Sequence, residues 1–200
     1  MFDVAIIGAG AAGSSCAVTL ASANKFDWAK DKKYLLIDDN KSDLKKASLF
    51  NVPGFEYGIS GVKAIKKIKQ HIYKFPSISF KENQSVLEIN KKDEIFEIVT
   101  DKERYKAKLI VLATGMHEFN IKGLDLKILP HTKVLKPGKI KIKNQNNIAA
   151  DGIYVAGLLS GVKTMYLIAA GDGVKVACDI FEKWQDRPAV SHDSIKDAIL

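Results

Sequence analysis

The first forty residues alternate in a way that predicts a strand, a helix and a second strand. Residues 2–7 form a short apolar run, which ends in the glycine-rich segment 8–13. Residues 14–23 are small and apolar and have the length of a helix. A charged connection then leads to a second apolar run at residues 34–37, which ends in two aspartates. Two continuous apolar strands joined by a helix predict a parallel sheet covered on both faces.

The middle of the chain shows one helical pattern and three strand patterns. Residues 61–74 have apolar side chains at helical spacing with lysines between them, which predicts an amphipathic helix. Residues 85–90 and 95–100 alternate apolar and polar positions, as in a half-exposed antiparallel sheet. Residues 105–112 end in a fully apolar run followed by Ala113-Thr114-Gly115, and they predict a buried strand.

The last third of the chain is less regular. Residues 116–139 show no clear period, and residues 140–143 predict a short strand with lysines on one face. Residues 152–157 predict another buried strand with a glycine exit. Residues 163–184 have a helical pattern with small residues in its first half.

Composition agrees with a folded domain and excludes several classes of protein. The 200 residues are 46% hydrophobic and 27% charged, which excludes a disordered or collagen-like chain. No apolar run reaches the roughly 18 residues of a membrane span, and the N-terminus lacks the basic start of a signal peptide. Cys16 and Cys178 show neither a CxxC pattern nor a zinc spacing. We therefore expect a cytoplasmic protein without a membrane partner.

The charge balance is basic, with 31 lysines and arginines against 23 acidic residues and a net charge of +8. Such an excess can steer an acidic partner without identifying it. Lysines cluster at positions 136, 139, 141 and 143 with no aromatic residue between them, which argues against base stacking and a nucleic-acid partner. A solvated basic edge is favoured there. A surface or structural role is favoured over acid–base catalysis for the scattered histidines His71, His117, His131 and His192.

The glycine-rich segment carries a specific chemical pattern. Gly8 permits a tight turn, Gly10 lets the backbone approach a pyrophosphate, and Gly13 lets the helix pack closely on the sheet. The helix N-terminus at Ala11 and Ala12 then favours an anion. An acid at the end of the next strand completes the fingerprint of a dinucleotide site: Asp38 can accept hydrogen bonds from an adenosine ribose, and Asp39 is the alternative.

Four segments together resemble the FAD-binding domain of the thioredoxin reductase family. They are FDVAIIGAGAAG at residues 2–13, NVPGF at 51–55, LIVLATG at 109–115, and DGIYVAG at 151–157 followed by AAGDG at 169–173. The resemblance covers almost the whole chain. It implies FAD as the cofactor, with contacts at Gly8, Gly10, Ala11, Ala12, Gly13, Asp38 or Asp39, Asn51, Thr114, Gly115, Gly157 and Met165.

Pattern and resemblance together predict an α/β fold, a single doubly wound, Rossmann-like FAD-binding domain over residues 1–200. A central parallel sheet would carry a small antiparallel sheet. The two halves, residues 1–115 and 151–185, would be joined by a short insert at 116–150.

Departures from the family limit the expected activity. The 35 residues of the insert cannot fold the second, nicotinamide-binding domain of family members, and the chain has no CxxC dithiol. Reduction of thioredoxin by the family mechanism is therefore excluded within this chain. Leu158 stands where the family has a ribityl-binding aspartate, Met165 where it has a glutamine, and the family's Gly-Gly-Gln-Leu is absent from residues 41–46. Asp172 lies close in sequence, but its position in a helix argues against substitution for the missing aspartate.

The sequence leaves two functions open. The first is a small FAD-dependent oxidoreductase that takes electrons from a separate redox protein or from free NAD(P)H. The second is a non-catalytic FAD-binding or FAD-free protein that keeps the fold for dimerisation or regulation. The missing aspartate favours the second function, and the retained glycine loop favours at least nucleotide binding. The resemblance also implies a homodimer, whereas catalytic residues are not identified.

Overall fold

A computed structural model describes residues 1–189 and 191 of the chain. Residues 190 and 192–200, including His192, lie outside the described residues. The described part contains three α-helices: α1 Ala11–Ser22, α2 Gly61–Ile72 and α3 Tyr166–Gln185. It also contains twelve strands: β1 Phe2–Ile7, β2 Tyr34–Asp38, β3 Ser48–Leu49, β4 Ile59–Ser60, β5 Ile78–Glu82, β6 Val86–Lys92, β7 Ile95–Thr100, β8 Arg104–Leu112, β9 Ile128–Pro130, β10 Ile140–Ile142, β11 Ile148–Ala150 and β12 Ile153–Val155.

The central sheet has the strand order β11-β12-β8-β1-β2-β5. The five strands from β12 to β5 run parallel, and β11 pairs antiparallel at one edge. The first part of β8 also pairs with β7, which in turn pairs with β6, so that an antiparallel sheet extends from the parallel one. The predicted fold class, a mostly parallel Rossmann-like α/β sheet with a small antiparallel sheet, is confirmed.

Strand β5 is the parallel strand that the sequence pattern missed. It forms the edge of the sheet beside β2, and only Ile78 among its five residues is buried. An edge strand with a single buried position has too little apolar contrast to be recognised by its pattern.

The two faces of the sheet are covered in different ways. Side chains such as Val4 and Ile6 meet all three helices in one core cluster. Their neighbours Ala5 and Ile7 meet β6, β7 and the insert in a second cluster. This alternation along β1 follows from the opposite orientation of successive side chains in a strand. Within the described residues, the second face is covered by strands and insert rather than by helices.

Helices α1 and α3 cross at very short distance because their contact is made by backbone. A Cβ atom added to Gly173 would overlap the carbonyl oxygen of Ala12. The small residues of both helices thus serve a close crossing. The crossing also fixes the N-terminus of α3 relative to that of α1.

The insert forms a hairpin of β9 and β10 on the second face of the sheet. Ile142 is fully buried in the core cluster that also contains Ile153 and Leu159. The backbone N–H of Ile140 donates to the carbonyl of Met116 at 2.9 Å, which ties the hairpin to the exit of β8. The short strand predicted at residues 140–143 corresponds to β10. In the part of the chain that the structure describes, no helix has the length and apolarity needed to cross a membrane.

Candidate functional site

A cavity of about 1040 Å³ opens at the carboxyl ends of the parallel strands. In parallel α/β sheets, this edge is where ligands bind. Of the twelve site residues predicted from the sequence, eleven line this one cavity: Gly8, Gly10, Ala11, Ala12, Asp38, Asp39, Asn51, Thr114, Gly115, Gly157 and Met165. The structure thus brings together segments that lie up to 157 residues apart in the chain.

Gly13 does not line the cavity, because its role is in packing. A Cβ atom at this position would overlap the carbonyl oxygen of Gly8. Gly8 itself has φ +100°, and an added Cβ would lie 2.5 Å from the carbonyl oxygen of Ala113. Both positions therefore require glycine for reasons internal to the protein.

Gly10 has no such internal requirement. Its φ of −70° is open to any residue, and the nearest atom to an added Cβ is Ser42 Oγ at 3.5 Å, an ordinary contact. The space in front of Gly10 belongs to the cavity. A glycine that neither the turn nor the packing demands leaves room for a ligand to approach the backbone.

The N-terminus of α1 faces the cavity without a capping side chain. Gly10 is the N-cap residue, and the first turn contains no acidic residue. The first backbone N–H groups of a helix lack partners within the helix, and the helix dipole adds partial positive charge there. Ala11 and Ala12, both cavity-lining, therefore present a site suited to phosphate oxygens.

The two aspartates at the end of β2 have different surroundings. Asp38 is buried, and its Oδ1 accepts a hydrogen bond from the backbone N–H of Ala9 at 3.0 Å. Asp39 is exposed, and its carboxylate accepts from the backbone N–H of Lys41 at 3.1 Å. Asp38 thus positions the glycine loop directly, while its other carboxylate oxygen takes no part in that bond.

The turn after β12 is held by the carboxylate of Asp172, a residue whose position in a helix had argued against a role at the site. Asp172 Oδ2 accepts from the backbone N–H of Gly157 at 2.7 Å and from Ser160 Oγ at 2.7 Å. Asn147 Nδ2 donates to both carboxylate oxygens at 3.0 Å. Asp172 therefore stabilises the cavity wall from behind, since it does not line the cavity itself. In the sequence, Asp172 is marked only by its place in the AAGDG segment. The hydrogen-bond partners of its carboxylate can be identified only from the fold.

Gly157 adopts φ +70°, and an added Cβ would lie 2.7 Å from Ala12 Cβ. Leu158 follows it and presents an apolar side chain to the cavity. Met165 is the N-cap residue of α3, which also begins at the cavity without a capping side chain or an acid in its first turn. The cavity is therefore bounded by the N-termini of two helices.

A chain of three polar side chains ties two walls of the cavity together. His117 Nε2 is hydrogen-bonded to Asp43 Oδ2, and Lys139 Nζ lies 2.9 Å from His117 Nδ1. Since an ammonium group can only donate, Lys139 Nζ is the donor in the second of these contacts. Burial raises the pKa of Asp43, but the bonds from His117 and Lys46 outweigh it and the net shift is downward. Asp43 and Lys139 carried no sequence signal for this role.

The two cysteines lie away from the cavity. Cys16 is fully buried, and burial strongly raises the pKa of its thiol. Cys178 is partly buried, and its pKa is also raised by desolvation and by the neighbouring Asp179 and Glu182. Neither residue lines the cavity, and both are free thiols.

Comparisons with known proteins agree with this architecture. The chain is 36% identical over 120 residues to a thioredoxin reductase of Treponema pallidum, an alignment covering 57% of this chain and 35% of the relative. It is 25% identical over 222 residues to the uncharacterized oxidoreductase CzcO of Bacillus velezensis, covering 97% of this chain and 63% of the relative. The chain therefore spans less than two thirds of the length of these relatives.

Solved structures show the same fold. A thioredoxin reductase from Gloeobacter violaceus superposes with a TM-score of 0.74 at 14% identity, covering 96% of this chain and 98% of that one. A ferredoxin-flavin thioredoxin reductase from Clostridium acetobutylicum gives a TM-score of 0.67 at 19% identity, covering 93% and 99%. Residues 2–136 match the family described as pyridine nucleotide-disulphide oxidoreductase. With more than half of its length inside that match, the chain belongs to the pyridine nucleotide-disulphide oxidoreductase family.

Proposed function

We propose that the chain binds FAD in this cavity and acts as a small flavin-dependent oxidoreductase. The observation that carries the proposal is the pair of uncapped helix N-termini, at Ala11 and Tyr166, that open into one cavity. A flavin dinucleotide carries a negatively charged group for each helix N-terminus. The pyrophosphate lies at its centre, and the flavin ring at one end becomes negatively charged as it gains electrons. The cavity volume also lies at the upper end of the roughly 300–1,000 Å³ of small-molecule sites.

The residues present fit FAD at the glycine loop. The open space in front of Gly10 would be filled by any side chain, and no internal contact accounts for the glycine. We assign the pyrophosphate to the N–H groups of α1, and the adenosine ribose to Asp38, with exposed Asp39 as the alternative. Asn51, Thr114 and Gly115 line the same cavity and would complete the site.

Bound FAD would supply the chemistry of accepting and releasing an electron pair. The protein would contribute orientation and electrostatics. The N-terminus of α3 stabilises negative charge, as helix N-termini do. Leu158 and Met165 present apolar surface that displaces water from the cavity wall.

Reduction of thioredoxin itself is not part of the proposal. Thiol–disulfide exchange requires an accessible thiolate and a resolving partner. Cys16 is buried, both thiols have raised pKa values, and neither borders the cavity. Electrons would come instead from a separate redox protein or from free NAD(P)H.

A second candidate is a protein that keeps the fold for binding or regulation without catalysis. It is favoured by Leu158, which stands where the family has an aspartate, and by Asp172, which is committed to the Gly157 turn. An exposed apolar stripe on α3, including Leu167 and Val174, supports the predicted homodimer as an assembly surface. The cytoplasmic setting stays a prediction.

Flavin content separates the two candidates. We expect purified protein to be yellow, to release FAD on denaturation, and to be bleached anaerobically by NADH, NADPH or a reduced carrier protein. A colourless preparation that takes up no added FAD would contradict FAD binding. A yellow protein that no donor bleaches would favour the non-catalytic candidate.

Gly10→Val tests the location of the cofactor. The backbone of Gly10 accommodates valine, so the variant should fold, while the side chain would occupy the pyrophosphate site. We expect loss of flavin with an unchanged circular dichroism spectrum. Gly171→Val is the matched control, because Gly171 is exposed on α3, has open space around it and does not line the cavity. Equal flavin content in the two variants would place the pyrophosphate elsewhere.

A further inference from the structure

The insert hairpin concentrates positive charge that the protein does not neutralise. Residues 126–150 contain six lysines and no aspartate or glutamate: Lys127, Lys133, Lys136, Lys139, Lys141 and Lys143. Elsewhere lysines pair with carboxylates, as Lys91 does with Asp151 at 2.5 Å and Lys175 with Asp179 at 2.7 Å. Among the described residues, none of the six hairpin lysines forms such an ion pair. This basic hairpin, residues 127–143, therefore projects its charge outward.

The basic hairpin contacts a residue of the cavity wall without lining the cavity itself. Lys139 directly precedes β10, and by the alternation of side chains it lies on the same face as Lys141 within the strand. Lys139 Nζ lies 2.9 Å from Nδ1 of the cavity-lining His117. The stem of Lys141 lies close to Gly161, which follows the cavity-lining turn at Gly157. Positive charge is thus placed against the cavity wall at Lys139 and beside the segment that follows the Gly157 turn at Lys141.

The tip of the hairpin combines charge with one apolar side chain. Leu135 is fully exposed and lies between the exposed residues Lys133 and Lys136. An apolar centre with a charged rim is the usual arrangement of a protein–protein interface. Leu135 has no role in the core of this chain, since its whole side chain faces solvent.

We propose that the basic hairpin docks an acidic electron-carrier protein that exchanges electrons with the flavin. This inference rests on the proposed function. A small anion would need a concave site, whereas these lysines are spread along strand β10, about 10 Å long at about 3.3 Å per residue, and along the loop that precedes it. A nucleic acid would favour aromatic side chains for stacking, and residues 125–143 contain no Phe, Tyr or Trp.

The stoichiometry of the exchange is simple. Each reduced carrier gives up one electron and is oxidised, and two carriers supply the electron pair that FAD takes up, with two protons from water. Complexes between electron-carrier proteins and their redox partners have small interfaces and are short-lived. Charge attraction raises the association rate of the two proteins by about 10- to 1,000-fold. The reaction should therefore depend strongly on salt.

The test uses the flavin-loaded protein and a reduced plant-type ferredoxin, an acidic one-electron carrier. Stopped flow measures loss of flavin absorbance, corrected for the carrier, from about 20 to about 300 mM NaCl, over which charge attraction is progressively screened. Calorimetric titration with oxidised ferredoxin measures docking independently of electron transfer. The variant is Lys133→Glu/Lys136→Glu, and the control is Lys63→Glu/Lys66→Glu on the exposed face of α2, with the same net charge.

We expect the hairpin variant to react at least about tenfold more slowly at low salt, to lose most of its salt dependence and to lose docking heat. The α2 variant should stay within about twofold of the parent. Equal losses in both variants, or no loss in the hairpin variant, would overturn the inference. It would also be overturned if the hairpin variant reacted normally but no longer bound a single-stranded oligonucleotide or phosphatidylserine vesicles. A protein that docks ferredoxin but holds no flavin would contradict the proposed function and leave the docking surface supported.

Discussion

At the scale of single residues, the glycine fingerprint contains three different physical causes. Gly8 is required by its positive φ and by the carbonyl of Ala113. Gly13 is required by contact with the Gly8 carbonyl. Gly10 is required by neither, and the proposed pyrophosphate site gives a reason for a glycine there. A fingerprint of identical residues therefore contains two structural positions and one proposed binding position, and substitutions should separate them.

Gly13→Ala should destabilise the protein by about 3 kcal/mol or more, because overpacking against backbone offers no side chain that can move aside. Urea unfolding followed by circular dichroism measures the loss. Gly171→Ala in an open helical position is the control and should stabilise by up to about 1 kcal/mol. Equal stability of the two variants would show that α1 can shift away from the sheet.

The two thiols should differ in reactivity. Burial raises the pKa of Cys16 and removes it from solvent, so it should react with a disulfide reagent only when the protein unfolds. Cys178 is partly buried with a smaller rise in pKa, and it should react slowly in the native state. Kinetics of thiol titration at pH 8, with Cys178→Ser as control, check this. Two rapidly reacting thiols would show that Cys16 is not buried.

At the scale of elements, the cavity depends on contacts between segments rather than on any one of them. Helix α3 supplies Asp172 to the turn after β12, and the same helix presents its N-terminus to the cavity. The crossing of α1 and α3 at Gly173 joins the two helix ends that bound the site. A substitution in α3 should therefore alter the shape of the cavity even when the substituted residue does not line it.

Asp172→Asn should lower stability by about 1–3 kcal/mol, because one amide cannot accept from Gly157, Ser160 and Asn147 together. It should also weaken FAD binding, since the Gly157 turn loses its support. Thermal unfolding and flavin titration measure both effects. Asp179→Asn on the same helix removes only an exposed pair with Lys175 and should cost about 0.5 kcal/mol at most. If Asp172→Asn loses no more stability than this control, the turn after β12 keeps its shape without the Asp172 carboxylate.

At the scale of the whole molecule, the acidic side chain of Asp3 links segments that lie far apart in the sequence. Asp3 at the start of β1 accepts from the backbone N–H of Lys33 at 3.0 Å and pairs with Lys32 and with Lys108 on β8. Burial raises the pKa of Asp3, but these partners lower it further, and the net shift is downward from 3.8. A carboxylate with a lowered pKa stabilises the folded state at pH values above 3.8, and that stabilisation is lost as the pH falls through its lower folded-state pKa.

The difference in unfolding free energy between the parent and Asp3→Asn should therefore be largest near neutral pH and should shrink below about pH 3.8. Urea unfolding of both proteins across this range measures it. Asp27→Asn, at a fully exposed position, should stay within about 0.5 kcal/mol throughout. A difference that does not change with pH would mean that the Asp3 charge contributes nothing.

Local patterns predicted much of this architecture. The βαβ start, the glycine loop and the glycine exit after β8 are each encoded in consecutive residues, and the structure places them around one cavity. The edge strand β5 escaped prediction because it buries only one side chain. The contacts of Asp172 with Asn147 and of His117 with Asp43 join residues 25 and 74 positions apart. Such partners depend on how the elements pack, which no local pattern contains.

The close crossing of α1 and α3 has a consequence for the choice between flavins. Because backbone meets backbone at Gly173 and Ala12, the crossing ties the two helix ends together. FMN carries both a phosphate and a flavin ring, so under the assignment proposed above it would meet both ends, as FAD would. Selection of the dinucleotide would therefore fall to Asp38, where only FAD brings an adenosine ribose.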